Sequence, residues 1–332
     1  MKEIIVEVRR GKLLESKHRV HAVIVDNEGH VVKSYGDELF FTFWRSAAKP
    51  FQVLPLIELG GHKRFGFTPQ EIAVMVSSHN GEQEHLHAVE SILNKIGLSE
   101  TSLDCGTAIP LGRKVAKELA QSKKKPTLLH NACSGKHAAA LALAKTMDVD
   151  EQGYILPEHP VQKKLLEAIA HCTDLNADTI ETAVDGCGFP VYALPLRNMA
   201  MAYARLAKTI KRCNDKQEAA LELIREAMVR NPFYVAGSER ICTGVMEKTG
   251  GEIVAKQGAE GIFCMGQNSE GLGVAIKVED GAHRALDPVV VSLLNDLNVL
   301  PASAAPLSDL LEPVVRNHRK EIIGYLTVIK PC

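Results

Sequence analysis

Strand-like runs at both ends of this chain enclose a middle whose apolar residues recur at helical spacing, and this division limits the architectures open to it. Ile4-Ile5-Val6-Glu7-Val8, Val20 to Asp26 and Val31 to Tyr35 read as strands, the last two joined by a turn at Asn27-Glu28-Gly29. Strand-like runs return at Ile253 to Lys256, Gly261 to Met265, Gly271 to Val278 and Glu321 to Lys330. Helices are predicted over Pro50 to Leu59 and Glu82 to Ile96, around 111–121, 136–147, 160–171, 196–210 and 214–229, and near 285–299. Gly60-Gly61 stops the first, and Thr68-Pro69-Gln70-Glu71 has the form of a capping box with proline at the first helical position. The pattern predicts an α+β fold, an antiparallel sheet built from N- and C-terminal strands and covered by helices. No internal repeat or low-complexity linker interrupts the 332 residues. A single domain over 1–332 is expected, with a helical middle section about 82–230 between two strand-rich ends.

The 39 basic and 40 acidic side chains nearly cancel, so electrostatics give no reason to expect nucleic acid or an anionic membrane as a partner. A small neutral or zwitterionic ligand fits better. No stretch reaches the ~18 unbroken apolar residues of a membrane span, and Met1 to Arg10 alternates apolar with charged residues where a secretory signal would be uniformly apolar. Cysteines at 105, 133, 172, 187, 213, 242, 264 and 332 lack the dense spacing of a disulfide scaffold. A reducing cytoplasm is the expected compartment.

Three short elements carry chemistry. Ser46-Ala47-Ala48-Lys49 stands where strand gives way to helix, and Pro50 is tolerated there because a first turn needs no donor at that point. A helix starting near Ser46 would bring hydroxyl and amine onto one face, close to unpaired backbone N–H groups able to stabilise an oxyanion. Against this, Pro50 biases Lys49 away from helical dihedrals. A second Ser-x-x-Lys at Ser122 to Lys125 lies in the basic run Lys123-Lys124-Lys125-Pro126 and reads as a solvated loop, so the tetrapeptide alone is weak. Its company strengthens it: Ser78-His79-Asn80 downstream, then Lys256-Gln257-Gly258 on a late strand. S-x-x-K, S-x-N and K-x-G follow one another in this order in penicillin-binding proteins and serine β-lactamases. Lys248-Thr249-Gly250 competes for the third place, but Gly250-Gly251 reads as a helix stop, whereas Lys256 ends the apolar run Ile253-Val254-Ala255. The alternative roles are a cap for Ser78 and a sheet-edge lysine for Lys256.

Arg45-Ser46-Ala47-Ala48-Lys49-Pro50, Ser78-His79-Asn80-Gly81-Glu82, His130-Asn131-Ala132-Cys133-Ser134-Gly135-Lys136-His137, Asp185-Gly186-Cys187-Gly188 and Lys256-Gln257-Gly258-Ala259-Glu260-Gly261 together resemble the rhizobial type of L-asparaginase, the class 3 or asparaginase II family. Glu7-Val8-Arg9-Arg10-Gly11 resembles its N-terminal pattern. The resemblance implies hydrolysis of L-asparagine to L-aspartate and ammonia, on a fold similar to serine β-lactamases and glutaminases, usually in a homodimer. It also implies Ser-Lys pairs at Ser46 with Lys49 and Ser78 with Lys256, and zinc at Cys133, Lys136 and Cys187. From the residues alone zinc would be a poor reading, since no Cys-x-x-Cys pair is present and a lysine ligand must lose its proton.

Unperturbed, a lysine of pKa ~10.4 is neutral in roughly one molecule in 2,500 at pH 7. Partial burial and mutual repulsion between Lys49 and Lys256 are expected to bring one of them towards ~7 to 8, neutral enough to take the Ser46 proton. Ser46 would then attack the side-chain amide, ammonia would leave, and water would hydrolyse the acyl-enzyme, with Ser78 and Lys256 relaying the proton to the leaving nitrogen. This route requires no cofactor. The zwitterionic end of asparagine calls for a cation and an anion, for which Arg45, Arg240 and Asp185 are candidates, with Asn80 beside them and His79 positioning Ser78. His130 and His137 are possible neighbours of the metal ligands. Two rivals are a zinc-water amidohydrolase, in which Ser46 is structural, and a catalytically silent amino-acid-binding protein.

Overall fold

The computed structural model describes residues 2–208, 215–300, 307 and 310–331. The chain opens with β1 (Ile4–Arg10), β2 (Leu13–Val25), β3 (Val31–Tyr35) and β4 (Phe41–Phe43). Helices follow: α1 (Lys49–Glu58), α2 (Gly61–Arg64), α3 (Pro69–Met75), α4 (Gln83–Lys95), α5 (Arg113–Gln121), α6 (Ser134–Thr146) and α7 (Pro160–Thr173). After β5 (Glu181–Val184) and β6 (Pro190–Pro195) come α8 (Leu196–Ala207), α9 (Asp215–Arg230), α10 (Pro232–Ala236) and α11 (Ile241–Lys248). The last third holds β7 (Ile253–Gln257), β8 (Ile262–Gln267), β9 (Leu272–Val278), α12 (Leu286–Asp296), β10 (Val314–Arg316) and β11 (Ile322–Ile329). Two compact units result, one gathering Met1–Thr42, Leu194–Lys208 and Gly244–Cys332, the other Phe43–Ala193 and Thr209–Thr243.

The first unit is the sheet expected from the two termini. Its order is β10-β11-β1-β2-β9-β8-β7, with β3 also paired to β2. Each strand pairing in this sheet is antiparallel, and Val6 stands opposite both His18 of β2 and Val328 of β11. Helix α8 packs on β2, β8 and β9. It lies close to β8 and β9 because Gly266 and Gly273 have no Cβ: one added there would run into the carbonyls of Tyr203 and Ala200. Residues of β7 and β8 are buried at every position, so these strands read as continuous apolar runs and not as an alternation. The fold class is therefore α+β, with a mixed set of helices and an antiparallel sheet.

The second unit is helical. Its centre is α1, buried from Lys49 to Ile57 and packed by α6, α7 and α9, while α3 packs on α4, α6 and α9. The capping box at the start of α3 is formed: Thr68 Oγ1 accepts the Glu71 N–H at 3.3 Å and Glu71 Oε2 accepts the Thr68 N–H at 2.6 Å. Strands β5 and β6 pair antiparallel, Glu181 opposite Ala193. Periodicity missed this pair because β5 is short and exposed at all four residues. Ser122, the decoy serine, caps the end of α5 by donating to the Glu118 carbonyl at 2.7 Å, and Lys123 to Lys125 are exposed. Among the described residues no helix is long and apolar enough to cross a membrane. Cys213 and Cys332 lie outside the described residues.

Candidate active site

Trp44 fixes the turn that carries the first motif. Its N–H donates to the Tyr192 carbonyl of β6 at 2.8 Å, and its ring stacks on Phe51 with centroids 5.0 Å apart. The next residue, Arg45, has φ 53°, a left-handed conformation uncommon for a side chain with a Cβ and of a kind that gathers at functional sites. Arg45 to Ala48 form a single 3-10 turn, and the α-helix begins only at Lys49. Helical backbone does begin near Ser46, but as a 3-10 turn, and the α-helix itself starts at Lys49. Lys49 itself is helical (φ −58°, ψ −37°) in spite of the proline after it, because the 3-10 turn runs directly into α1. Within this turn the N–H groups of Ala47 and Lys49 are taken by the carbonyls of Trp44 and Ser46.

Lys49 is 1% exposed, and its amine gathers three partners. Nζ donates to the Ser77 carbonyl, to Ser78 Oγ at 3.0 Å and to Cys133 Sγ at 3.3 Å. No hydrogen bond joins it to Ser46, so the structure pairs Lys49 with Ser78 and not with the serine three residues before it. Burial is the main cause lowering the Lys49 pKa; the Cys133 charge opposes it and the Lys136 charge adds to it. Ser78 follows α3 directly and is held by its N–H to the Val235 carbonyl at 3.1 Å. Ser46 is half-buried.

His79 is fully buried, and its tautomer follows from its partners. Nδ1 accepts the Gly81 N–H at 3.1 Å, so Nε2 carries the proton and donates to Ser134 Oγ at 2.9 Å. Burial, then the charges of His85 and Lys49, hold it neutral. This bond ties the segment after α3 to the start of α6, where Ser134 Oγ also reaches the Leu129 carbonyl. Ser134 lies inside a quoted motif, yet no spacing rule pointed to it.

Cys133, Lys136 and Cys187 are brought together. Lys136 Nζ donates to Cys187 Sγ at 3.2 Å and lies 4.1 Å from the centre of the Phe189 ring. The Cys187 thiol hydrogen-bonds Cys133, holding the Cys133 thiol well below its ordinary pKa and pushing that of Cys187 up. Burial opposes the Lys136 charge, but Cys187, Cys133 and Asp185 outweigh it and raise its pKa. Two sulfurs and one amine in contact form a donor set that suits zinc, provided that Lys136 releases its proton on coordination. Among the described residues no group of three or more His, Cys, Asp and Glu side chains could hold a metal, so lysine is needed to complete any such site. His137 turns away to Tyr154, its Nδ1 lying 2.7 Å from the phenol oxygen, and His130 Nδ1 meets Thr127.

Arg45 and Asp185 meet each other: Nη2 donates to Oδ1 at 2.7 Å, and the same oxygen accepts the Gly186 N–H at 2.8 Å. Arg45 Nε is buried without a partner, a donor left for a ligand. Asn80 and Arg240 also meet, with Nη1 donating to Oδ1 at 3.3 Å. They line a cavity that includes none of Ser46, Lys49, Ser78, Cys133, Lys136 or Cys187. Lys256 belongs to the sheet unit. It stands on the edge strand β7 and is still only 1% exposed, its Nζ donating to the Gln257 carbonyl at 3.0 Å. Lys248 closes α11, and Gly250 and Gly251 both take positive φ, as a helix stop requires.

The family model described as L-asparaginase II matches residues 6–328. The chain belongs to the L-asparaginase II family. Membership makes it a hydrolase. No curated protein matches the chain. Similar solved structures include a β-lactamase from Mycobacterium bovis, at 13% identity over 85% of this chain and 95% of that one, with a TM-score of 0.41. Mglu in its native form shares 12% identity over 86% of this chain and 66% of its own, with a TM-score of 0.48. EstCE1, a hydrolase with promiscuous acyltransferase activity, shares 12% over 80% and 90%, with a TM-score of 0.40.

Proposed function

We propose that this member of the L-asparaginase II family hydrolyses the side-chain amide of L-asparagine through a seryl acyl-enzyme, with Lys49 as the base. The observation that carries the reading is the buried Lys49 amine, 3.0 Å from Ser78 Oγ and depressed in pKa by its burial. An amine so placed accepts a serine proton without first paying to desolvate.

Ser46, the more exposed of the two alcohols, is the nucleophile, and Ser78 is the hydroxyl that the Lys49 amine holds in place. As Ser46 Oγ forms its bond to the amide carbon, its proton passes by way of the Ser78 hydroxyl to the Lys49 amine; Lys49 returns that proton by the same route to the nitrogen, the C–N bond breaks and ammonia leaves, and water, giving its proton to Lys49 in turn, then cleaves the ester to yield L-aspartate and restore Ser46. Arg45 receives the α-carboxylate through its free Nε, and Asp185 receives the α-ammonium. His79 is a positioning residue, fixing the Ser78 segment against α6 through Ser134.

Cys133, Lys136 and Cys187 would hold zinc, which when bound supplies a fixed positive charge beside the substrate; the serine chemistry proceeds without it. The same family reading extends to a cytoplasmic homodimer. The compartment alone draws support from the chain, through six free cysteines among the described residues of the kind a reducing environment maintains.

Ammonia release from asparagine and glutamine, compared among wild type, Ser46→Ala and Lys49→Met, tests the reading. Release from asparagine by wild type, none by Ser46→Ala and a loss of ~10²-fold or more in Lys49→Met are expected. Equal release by all three would remove the mechanism.

A further inference from the structure

Away from the Lys49 cluster, a cavity of 560 Å³ opens in the helical unit, within the ~300 to 1,000 Å³ range of small-molecule sites. Its walls carry three cations, Arg113, Lys114 and Arg240, and two carboxylates, Glu82 and Glu239. Arg113 and Lys114 have no ion-pair partner among the described residues. Asn80 holds the walls together. It accepts from Arg240 Nη1 at 3.3 Å, donates to the Ser238 carbonyl at 2.9 Å, and takes the Gly112 N–H on its own carbonyl at 3.0 Å. The facing loop is folded tightly against it: Gly237 has φ 114°, and a Cβ there would strike the Asn80 side chain. Asn80 stands two residues from Ser78.

We propose that this cavity is a second ligand site, for an acidic amino acid, whose occupancy is felt at Ser78 through Asn80. Three cations facing two carboxylates match a ligand with two carboxylates and one ammonium group. A neutral amino acid leaves one cation without an opposite charge, and a polyanion meets Glu82 and Glu239. The product of the proposed reaction belongs to this class, and only that link rests on the amidohydrolase reading. A bound carboxylate drawn to Arg113, Lys114 and Arg240 fixes the Ser238 to Arg240 loop, and with it Asn80, so binding shifts the rate at a serine it does not touch.

Equilibrium dialysis with labelled L-aspartate tests the site, using the full chain carrying Ser46→Ala, with and without Arg113→Ala and Lys114→Ala together. A control pair, Lys117→Ala with Lys124→Ala, removes equal charge outside the cavity. The parent and the control are expected to bind, and the cavity variant to lose one binding event or weaken it by about tenfold or more. In the otherwise wild-type enzyme, aspartate should change kcat at saturating asparagine. With the cavity pair substituted, that change should vanish while basal ammonia release stays the same. Equal binding by the cavity variant and its parent, or no binding by the parent, overturns the site. So does inhibition that is purely competitive and persists in the cavity variant. Binding without any ammonia release by wild type would sink the amidohydrolase reading and leave the site standing.

Discussion

Lys49 Nζ lies 3.0 Å from Ser78 Oγ, a residue twenty-nine positions away in sequence, while it makes no hydrogen bond to Ser46 on its own turn. The 3-10 turn explains this. With Arg45 to Ala48 wound more tightly than an α-helix, the lysine side chain leaves the turn and enters the gap between the end of α3 and the start of α6. Lys49→Met keeps the length and burial of the side chain but removes the amine. Ammonia release should fall by ~10² to 10⁴-fold, the usual worth of a positioned base. Circular dichroism should stay unchanged, separating lost chemistry from lost fold. Lys49→Arg should not restore activity, because a guanidinium cannot give up its proton at neutral pH.

Metal content should follow the two sulfurs. Cys133→Ser and Cys187→Ser are each expected to lose zinc when the purified proteins are measured by elemental analysis, and the Lys136→Met protein should hold it more weakly. Wild type stripped by a chelator should still release ammonia, since the proposed acyl-enzyme route draws on Ser46, Ser78 and Lys49 alone. Complete loss of turnover on chelation, regained with zinc, would favour the metal-water rival.

Much of this fold can be read in the sequence because its elements announce themselves locally. Val31–Tyr35 is a strand over the predicted span, and α4, α6, α7 and α12 lie within a few residues of their periodic runs. The capping box at Thr68 and Glu71 forms as its spacing indicates. Long-range chemistry was less legible. Spacing placed Ser46 and Lys49 on one helical face, but whether a residue takes a 3-10 turn or an α-turn depends on the Trp44 anchor to Tyr192, which no local pattern encodes. Asn80 and Arg240 were both candidates for the substrate site, but their direct bond was not legible, since it depends on the positive φ of Gly237 and Glu239 bringing a distant loop against the residue after His79.

Acid should weaken the helical unit through Glu71. Burial alone would raise the pKa of this carboxyl, but Lys95, the Ser91 hydroxyl and the Thr68 N–H outweigh it, and the folded value lies below the usual one. A depressed folded pKa contributes stability that is fully present above the unfolded value of ~4.3 and is lost as pH falls through the folded value. Urea unfolding should therefore show Glu71→Gln less stable than wild type at pH 7, with the gap closing as pH drops below ~4.3. Thr68→Ala should cost about 1 kcal/mol at either pH, because the hydroxyl half of the box does not titrate.

Arg45 and Asp185 should act as one unit in substrate capture. Their 2.7 Å ion pair is partly shielded, and Asp185 Oδ1 is also fixed by the Gly186 N–H, so each holds the other in the orientation that the proposed zwitterionic substrate would meet. Losing Arg45 leaves the Asp185 carboxylate with Lys136 as its main opposite charge, and losing Asp185 lets the guanidinium swing away. Arg45→Ala and Asp185→Asn are each expected to raise KM far more than they lower kcat, which marks lost binding and not lost chemistry. The double variant should be little worse than either single one, with a coupling of roughly 0.5 to 3 kcal/mol in kcat/KM. Strict additivity of the two losses would mean that the pair does not work jointly, and an unchanged KM in both would remove Arg45 and Asp185 from the substrate site.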